Sequence, residues 1–164
     1  MENKAVSNTG PIIHLTEIDL LKALKIFSSI IIPEEVASEL RKNNISVPSK
    51  VRITKLVSTN KDTVKLLTNQ KNLDLGEAEA IALSIQEKPR IFLTDDLEAR
   101  NVSKELGIKT HGTVGIILRA FKEKIIDKSK AIEKIKSLHS SSSLFITSDL
   151  IDKVISSINE FSNS

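Results

Sequence analysis

Two adjacent carboxylates follow a short apolar run in the second half of the chain. The run Ile91–Leu93 is typical of a buried β-strand, and Thr94, Asp95 and Asp96 come directly after it, where a helical pattern begins. Ligands of open α/β folds bind at the carboxyl edge of the sheet, so Asp95 and Asp96 are candidates for binding or catalysis. The alternative is that Thr94 or Asp95 only caps the next helix.

Other oxygen ligands occur where a sheet could bring them to the same edge. Asn8 follows the first predicted strand, Glu39 lies on a predicted helix, and Glu79 lies between two alanines in a further helix. Glu79 is therefore predicted to face inward, where an unpaired carboxylate is costly and needs a cation. Such a site would suit Mg²⁺ or Mn²⁺, with ligands from Asn8, Glu39, Glu79, Asp95 and Asp96.

Each candidate also has an ordinary structural explanation. Asn8 is a good helix N-cap. Glu39 is equally typical of a solvated helical glutamate. Glu77 and Glu79 would lie in the first turn of a helix, where negative charge interacts favourably with the helix dipole. These alternatives stay open until the side chains are placed.

The composition excludes several other kinds of site. The chain has no cysteine, which rules out disulfides and thiolate metal ligands and fits a reducing cytoplasm. Its three histidines are scattered, without zinc-ligand spacing, and no P-loop or G-x-S-x-G motif is present. No apolar run is long enough to span a bilayer, and the first residues lack the apolar core of a signal peptide. We therefore expect a cytoplasmic protein with no membrane partner.

Charge and aromatic content limit how nucleic acid could be bound. Lys plus Arg number 24 against 21 Asp plus Glu, a net charge of +3 that is compatible with a phosphate partner without requiring one. With five Phe and no Trp or Tyr, stacking platforms for bases are not expected. Any nucleic acid is expected to be held by its backbone.

Predicted strands and helices alternate along the 164 residues, which indicates an α/β domain with a mainly parallel sheet. A single domain over 1–164 is predicted, with its core at about 4–124 and C-terminal helices at 129–161. The predicted strands are Lys4–Ser7, Ile30–Ile32, Val51–Val57, Arg90–Thr94 and Ile108–Thr110. The predicted helices include Leu20–Ile26, Thr59–Gln70, a small-residue helix that Gly76–Leu83 opens and Lys88-Pro89 ends, Asp95–Leu106, Thr113–Lys124, Ser129–Leu138 and Ser148–Phe161. A last extended piece is predicted at Phe145-Ile146.

Five short motifs occur in an order that resembles the PIN domain superfamily, in particular a small stand-alone branch close to VapC-type toxins. The resemblance implies a three-layer α/β/α fold and metal-dependent cleavage of RNA, with Mg²⁺ or Mn²⁺ as cofactor. The motifs lie at Val6–Pro11, Ile32–Leu40, Leu73–Leu83, Phe92–Arg100 and Gly107–Leu118.

The resemblance assigns roles position by position. Asn8 stands where the family usually has its first aspartate, which removes one negative charge from the implied metal site. Glu39 and Glu79 match the next acidic positions, with Glu77 as a neighbour that shares the role of Glu79. Asp95 and Asp96 match the acidic positions after the fourth strand. The implied catalytic residues are Glu39, Glu79, Asp95 and Asp96, and the implied metal ligands add Asn8 and Glu77. Thr9 and Thr94 are candidates for substrate binding. Apart from the resemblance, Arg100 and Arg119 are candidates for holding phosphates, with ordinary solvated surface charge as the alternative.

Two functions from different classes follow from these expectations. The first is a toxin-like ribonuclease in which a metal-activated water attacks the phosphate and leaves a 5′-phosphate and a 3′-hydroxyl. The second is a weakened or inactive RNA-binding or regulatory module, with Asn8 marking a lost site. By resemblance, the expected partners are RNA, a small antitoxin protein and a second copy of the chain. The apolar segment Leu20–Leu24 is a candidate for part of that interface, although its pattern favours burial in the core.

Overall fold

A computed structural model describes residues 3–162, which form two compact units. Unit 1 contains residues 3–13 and Phe27–His111, and unit 2 contains His14–Ile26 and residues 112–162. No helix within this described range is long and apolar enough to cross a membrane. The prediction of one domain over 1–164 stays a prediction.

Five strands alternate with the helices in unit 1, and helices alone make up unit 2. The strands are β1 Lys4–Ser7, β2 Ser29–Ile32, β3 Val51–Ile53, β4 Ile91–Leu93 and β5 Thr110–His111. The helices are α1 Thr9–Glu17, α2 Glu34–Lys42, α3 Ser58–Gln70, α4 Leu75–Glu87, α5 Leu97–Glu105, α6 Thr113–Lys122, α7 Lys128–Ser141 and α8 Ser148–Ser162, with a short 3₁₀ helix at Leu21–Ile26.

The sheet of unit 1 has the strand order β3-β2-β1-β4-β5, and every pairing is parallel. The predicted α/β/α class with a mainly parallel sheet is confirmed. The central strands are buried along most of their length, which explains why Ile30–Ile32 and Ile91–Leu93 are continuous apolar runs. At the β3 edge only Val51 is buried.

Helix α4 packs on β1 and β4 and contacts α2, α3 and α5. Most residues of its buried face are small, so the helix can approach the sheet closely, as its composition predicts. It ends where Lys88 adopts a left-handed conformation (φ 47°) and Pro89 prevents continuation. The α4 residues in this core are Ala78, Ala80, Ile81, Ala82 and Leu83.

Several predicted boundaries are wrong. The strand predicted at Val51–Val57 ends at Ile53, because the Val57 N–H donates to the side-chain oxygen of Gln86 (2.9 Å) and not to a strand. The strand predicted at Ile108–Thr110 is shifted to Thr110–His111, because the Ile108 N–H is used by the Ser103 carbonyl at the end of α5 (2.8 Å).

Two further predictions in unit 2 also need correction. The helix predicted at Leu20–Ile26 is a 3₁₀ helix, and the extended piece predicted at Phe145-Ile146 forms no strand, with Phe145 91% exposed. Unit 2 packs α6 against α7 and α7 against α8. The rings of Phe121 and Phe161 meet edge to face with centroids 5.5 Å apart.

Candidate active site

The candidate site lies where the strand order of the sheet reverses. From β1 the chain builds outward to β2 and β3, then returns to place β4 on the other side of β1. The carboxyl ends of β1 and β4 therefore lie side by side, and the Asn8 N–H donates to the Leu93 carbonyl (2.8 Å). In open parallel sheets this switch point forms the ligand-binding crevice.

Asn8 is held rigidly at the end of β1. Its side chain is 7% exposed; its amide nitrogen donates to the Thr94 hydroxyl (3.2 Å), and its amide oxygen accepts the Thr9 N–H (2.9 Å). An aspartate at this position could not donate to Thr94, because an ionised carboxylate has no proton to give. Asn8 thus ties the end of β1 to the end of β4.

The Glu39 carboxylate reaches from α2 to the start of α1 and the start of α4. The Thr9 hydroxyl donates to it, and a Cβ on Gly76 would overlap it, with Glu39 Cδ only 2.9 Å away. Burial raises the pKa of Glu39, the bond from Thr9 opposes that shift, and the nearby Asp74 and Glu35 carboxylates reinforce it. Glycine at position 76 therefore leaves the space that Glu39 occupies.

A second group of carboxylates joins the first turn of α4 to the start of α5. Asp74 caps α4 in a reciprocal capping box: the Glu77 N–H donates to Asp74 (2.8 Å) and the Asp74 N–H donates to Glu77 (3.0 Å). Burial raises the pKa of Glu77 to about 7, and the Asp74 and Asp96 carboxylates add to this shift. Glu77 and Asp96 are thus close enough to interact.

Asp96 is the N-cap of α5. Its carboxylate accepts the Ala99 N–H (2.8 Å), and its own N–H donates to the Thr94 hydroxyl (3.2 Å). The prediction that Thr94 or Asp95 caps this helix is therefore wrong, because the helix begins two residues later than the sequence suggested. Thr94 is fully buried and accepts bonds from both Asn8 and Asp96, so it positions these two residues.

Glu79 occupies a different place from Glu77. Its carboxylate accepts the Glu35 N–H (3.2 Å) at the first turn of α2, whose N-cap Pro33 makes no side-chain bond. Burial raises the pKa of Glu79, and Glu34, Glu35 and Glu39 act in the same direction. Glu79 therefore stabilises the start of α2 from a neighbouring helix.

The remaining predicted residues are spread more widely. Asp95 is half-buried at the end of β4, and Arg100 is exposed one turn into α5, with its N–H bonded to the Asp96 carbonyl (3.0 Å). Arg119 belongs to α6 of unit 2, where it pairs with Glu123 (2.5 Å). Unit 1 thus holds every predicted site residue except Arg119.

The carboxylate oxygens of this region are of the type that Mg²⁺ and Mn²⁺ prefer as ligands. Within residues 3–162, the carboxylates of Glu39, Glu77, Glu79 and Asp96 form no ion pair with Lys or Arg, although Lys42 lowers the pKa of Glu39 slightly against the larger effect of burial. Half-buried carboxylates close to one another favour a bound cation. Over the same residues, no three His, Asp or Glu side chains are arranged to hold one ion together.

Two residues of this region have roles that the sequence patterns did not predict. Asp74 and Gly76 fix the positions of Glu77 and Glu39. A signal for Asp74 was available, because Asp74-Leu75-Gly76-Glu77 has the spacing of a capping box before a helix. Gly76 gave no such signal, since its role depends on a side chain 37 positions earlier in the chain (76 − 39).

The fold and the chain have recognisable relatives. A family model described as DUF3368, PIN domain, matches residues 4–160. Among solved structures, the chain resembles a PilT N-terminus domain protein, SSO1118, from the hyperthermophilic archaeon Sulfolobus solfataricus P2, with a TM-score of 0.54 and 20% identity over 71% of this chain and 92% of that one. At 20% identity, this similarity shows a shared fold and nothing about function. No curated protein matches the chain.

Proposed function

The chain belongs to the PIN-domain family, and from that membership we propose that it is a ribonuclease that depends on Mg²⁺ or Mn²⁺. PIN domains are generally divalent-metal-dependent nucleases. RNA as substrate and a metal requirement in this chain are the parts that we propose. The observation that carries them is the group of half-buried carboxylates at the edge where β1 and β4 meet.

In this proposal Glu77 and Asp96, which lie close enough to interact, would bind the dication together with water molecules, and Glu39, Asp95 and Glu79 complete the acidic surroundings. The bound ion would supply a Lewis acid that lowers the pKa of a water molecule and offsets charge on the scissile phosphate. Attack of a water molecule on phosphorus would form the new bond while the bond to the 3′-oxygen breaks; the water gives up a proton to solvent and the 3′-oxygen takes one up, which would leave a 5′-phosphate and a 3′-hydroxyl. Asn8 and Thr94 act as positioning residues because their polar atoms are bonded to each other and to the chain.

The direct test is cleavage of labelled RNA with Mn²⁺, with EDTA, and in the variant Asp96→Asn. Asparagine caps helices as well as aspartate does, so the fold should persist while one anionic ligand is lost. We expect activity with Mn²⁺, none with EDTA, and a loss of roughly 100-fold or more in the variant, comparable to the loss of one preorganised group that stabilises the transition state.

Helix α7 offers a matched control for this substitution. Asp127 caps α7 by accepting the Lys130 N–H at 2.8 Å, the same distance at which Asp96 accepts the Ala99 N–H. Asp127→Asn therefore repeats the change in cap chemistry away from the candidate site, and its activity should equal that of the wild type. Equal cleavage by Asp96→Asn and Asp127→Asn would refute the proposal.

A second candidate rests on Asn8. Both polar atoms of its amide are already used, by Thr94 and by Thr9, and the position lacks a negative charge. This favours a weakened enzyme or an RNA-binding module without turnover. Asn8→Asp separates the two: increased cleavage indicates a weakened enzyme, whereas RNA binding with no cleavage by either form indicates a binding module.

We also propose that the protein is the toxin of a toxin–antitoxin pair that forms homodimers in the cytoplasm. The support is the resemblance to VapC-type toxins in its motifs. Co-expression with the product of the neighbouring reading frame tests the first part, since an antitoxin should copurify with the chain and suppress its cleavage of RNA. The mass of the purified protein in solution tests the second.

A further inference from the structure

A cleft of about 400 Å³ opens in unit 1 beside the candidate active site. Its lining comes from the start of α2, the segment after β3, and helices α3 and α4. Both β2 and β3 point their carboxyl ends toward these segments, so the cleft belongs to the same sheet edge as Asn8 and Asp96. Of its lining residues, only Glu79 takes part in the chemistry described above.

Three lysines line one side of this cleft. Lys55 follows β3, and Lys61 and Lys65 lie on α3; all three are exposed, and no ion pair to any of them occurs among residues 3–162. Lys61 and Lys65 are four residues apart, so they share a helix face with about 6 Å between them along the axis. That spacing is comparable to the separation of successive phosphates in an extended nucleic-acid strand.

The cleft floor is aliphatic, with Leu56, Val64 and Leu75. It offers sugars and bases an apolar surface but no aromatic ring to stack on. These residues therefore favour binding of the phosphate backbone by the lysine charges, with little contribution from base stacking. This mode holds single strands with little sequence preference.

Glu79 connects the cleft to the acidic group. Glu79 lines the cleft and also lies close enough to Glu39 to raise its own pKa through their repulsion. Glu34, which also lines the cleft, would repel phosphates and so favour their binding at the lysines. A strand bound at the lysines would therefore lie in a cleft that shares Glu79 with the acidic group.

We propose that Lys55, Lys61 and Lys65 form a phosphate-binding subsite that holds the RNA strand flanking the cleaved bond. This inference rests on the proposed ribonuclease function for the identity of the strand. It concerns binding, however, and binding can be measured without turnover. A lysine subsite distant from the cleaved bond should contribute to affinity for oligonucleotides and nothing to the hydrolysis of a dinucleotide.

The experiment measures binding of a fluorescent, unstructured oligoribonucleotide by anisotropy in EDTA, over a range of salt concentrations. The variant Lys61→Gln/Lys65→Gln removes two charges from the cleft. The control Lys104→Gln/Lys109→Gln removes two charges from exposed, unpaired lysines of unit 1 that do not line it. We expect the cleft variant to bind the oligonucleotide roughly tenfold more weakly than the wild type. The slope of log K against log salt concentration should also be shallower by about 1.4, because each of the two lost phosphate contacts contributes about 0.7.

The outcomes separate this inference from the proposed function. RNA binding by the wild type without cleavage in Mn²⁺, with weaker binding by the cleft variant, supports the subsite and refutes the ribonuclease. Cleavage by the wild type with equal binding by the cleft and control variants refutes the subsite alone. If the cleft variant lost binding to polyglutamate but bound RNA as tightly as the wild type, the subsite would also be refuted. The cleft would then serve an acidic protein segment.

Discussion

At the scale of single residues, the site is defined by what each carboxylate already touches. Glu39 is held between Thr9 and Gly76, Glu77 is held by Asp74, and Asp96 is held by the first turn of α5. Each carboxylate thus has a fixed position before any ligand binds. Fixed positions are what a catalytic site requires, because displacement of a reacting group by about 1 Å can cost roughly 100-fold in rate.

Gly76→Ala tests this positioning without removing a carboxylate. The new methyl group overlaps the end of the flexible Glu39 side chain, which must move away from Thr9. We expect cleavage to fall by roughly 100-fold. The free energy of unfolding should change by less than about 1 kcal/mol, because alanine is the better helix former. Full activity in this variant, with an unchanged melting temperature, would contradict the placement of Glu39 in the site.

At the scale of elements, neighbouring helices satisfy each other's ends. Helices α4, α5 and α7 carry their own aspartate N-caps, whereas α2 begins after Pro33 and receives a carboxylate from Glu79 of α4. This contact also orients α2, which carries Glu39. The acidic residues of α4 therefore face two neighbours, with Glu77 toward α5 and Glu79 toward α2.

Glu79→Ala and Glu79→Gln measure the value of this contact. Alanine leaves the Glu35 N–H without its acceptor and should lower the free energy of unfolding by about 1 kcal/mol, as loss of a helix cap does. Glutamine keeps an acceptor oxygen and should cost much less. Chemical denaturation of both variants checks this, and equal destabilisation would contradict it. Loss of cleavage in Glu79→Gln with unchanged stability would identify Glu79 as a catalytic residue, as the resemblance implies.

At the scale of the whole molecule, stability and metal binding should be linked through pH. Burial raises the pKa of Glu77 from an ordinary value of 4.5 to about 7, because the buried site favours the protonated carboxyl. Without metal, the contribution of Glu77 to the free energy of unfolding is therefore fully present below pH 4.5 and is lost as the pH rises through 7. Mn²⁺ needs the ionised carboxylate. Its affinity at pH 5 should therefore be about 100-fold lower than at pH 8.

Thermal unfolding in Mn²⁺ and in EDTA at both pH values tests this linkage. We expect Mn²⁺ to stabilise the wild type by about 2.7 kcal/mol at a hundredfold excess over its dissociation constant, and by less at pH 5 for the same concentration. Glu77→Gln keeps the capping-box acceptor and should remove most of the Mn²⁺ effect and its pH dependence. An equal response of this variant and the wild type would show that Glu77 does not bind the ion.

Local sequence patterns were sufficient for most elements and for their parallel arrangement. Apolar runs such as Ile91–Leu93 encode buried strands because both faces of a parallel sheet are covered. The glycine predicted to end α5, Gly107, has the left-handed φ of 73° that this position requires. Two strand boundaries were wrong where another group accepts a backbone N–H, as Gln86 does at Val57 and Ser103 does at Ile108.

The sequence by itself determined the fold class, the order of the elements and the presence of acidic residues at strand ends, because these depend on interactions within short segments. Only the tertiary structure decided which acids meet. It separates Glu77 from Glu79, makes Asp96 the cap of α5, and brings Gly76 against Glu39. These contacts join residues far apart in the chain, and their geometry depends on how helices pack against one sheet.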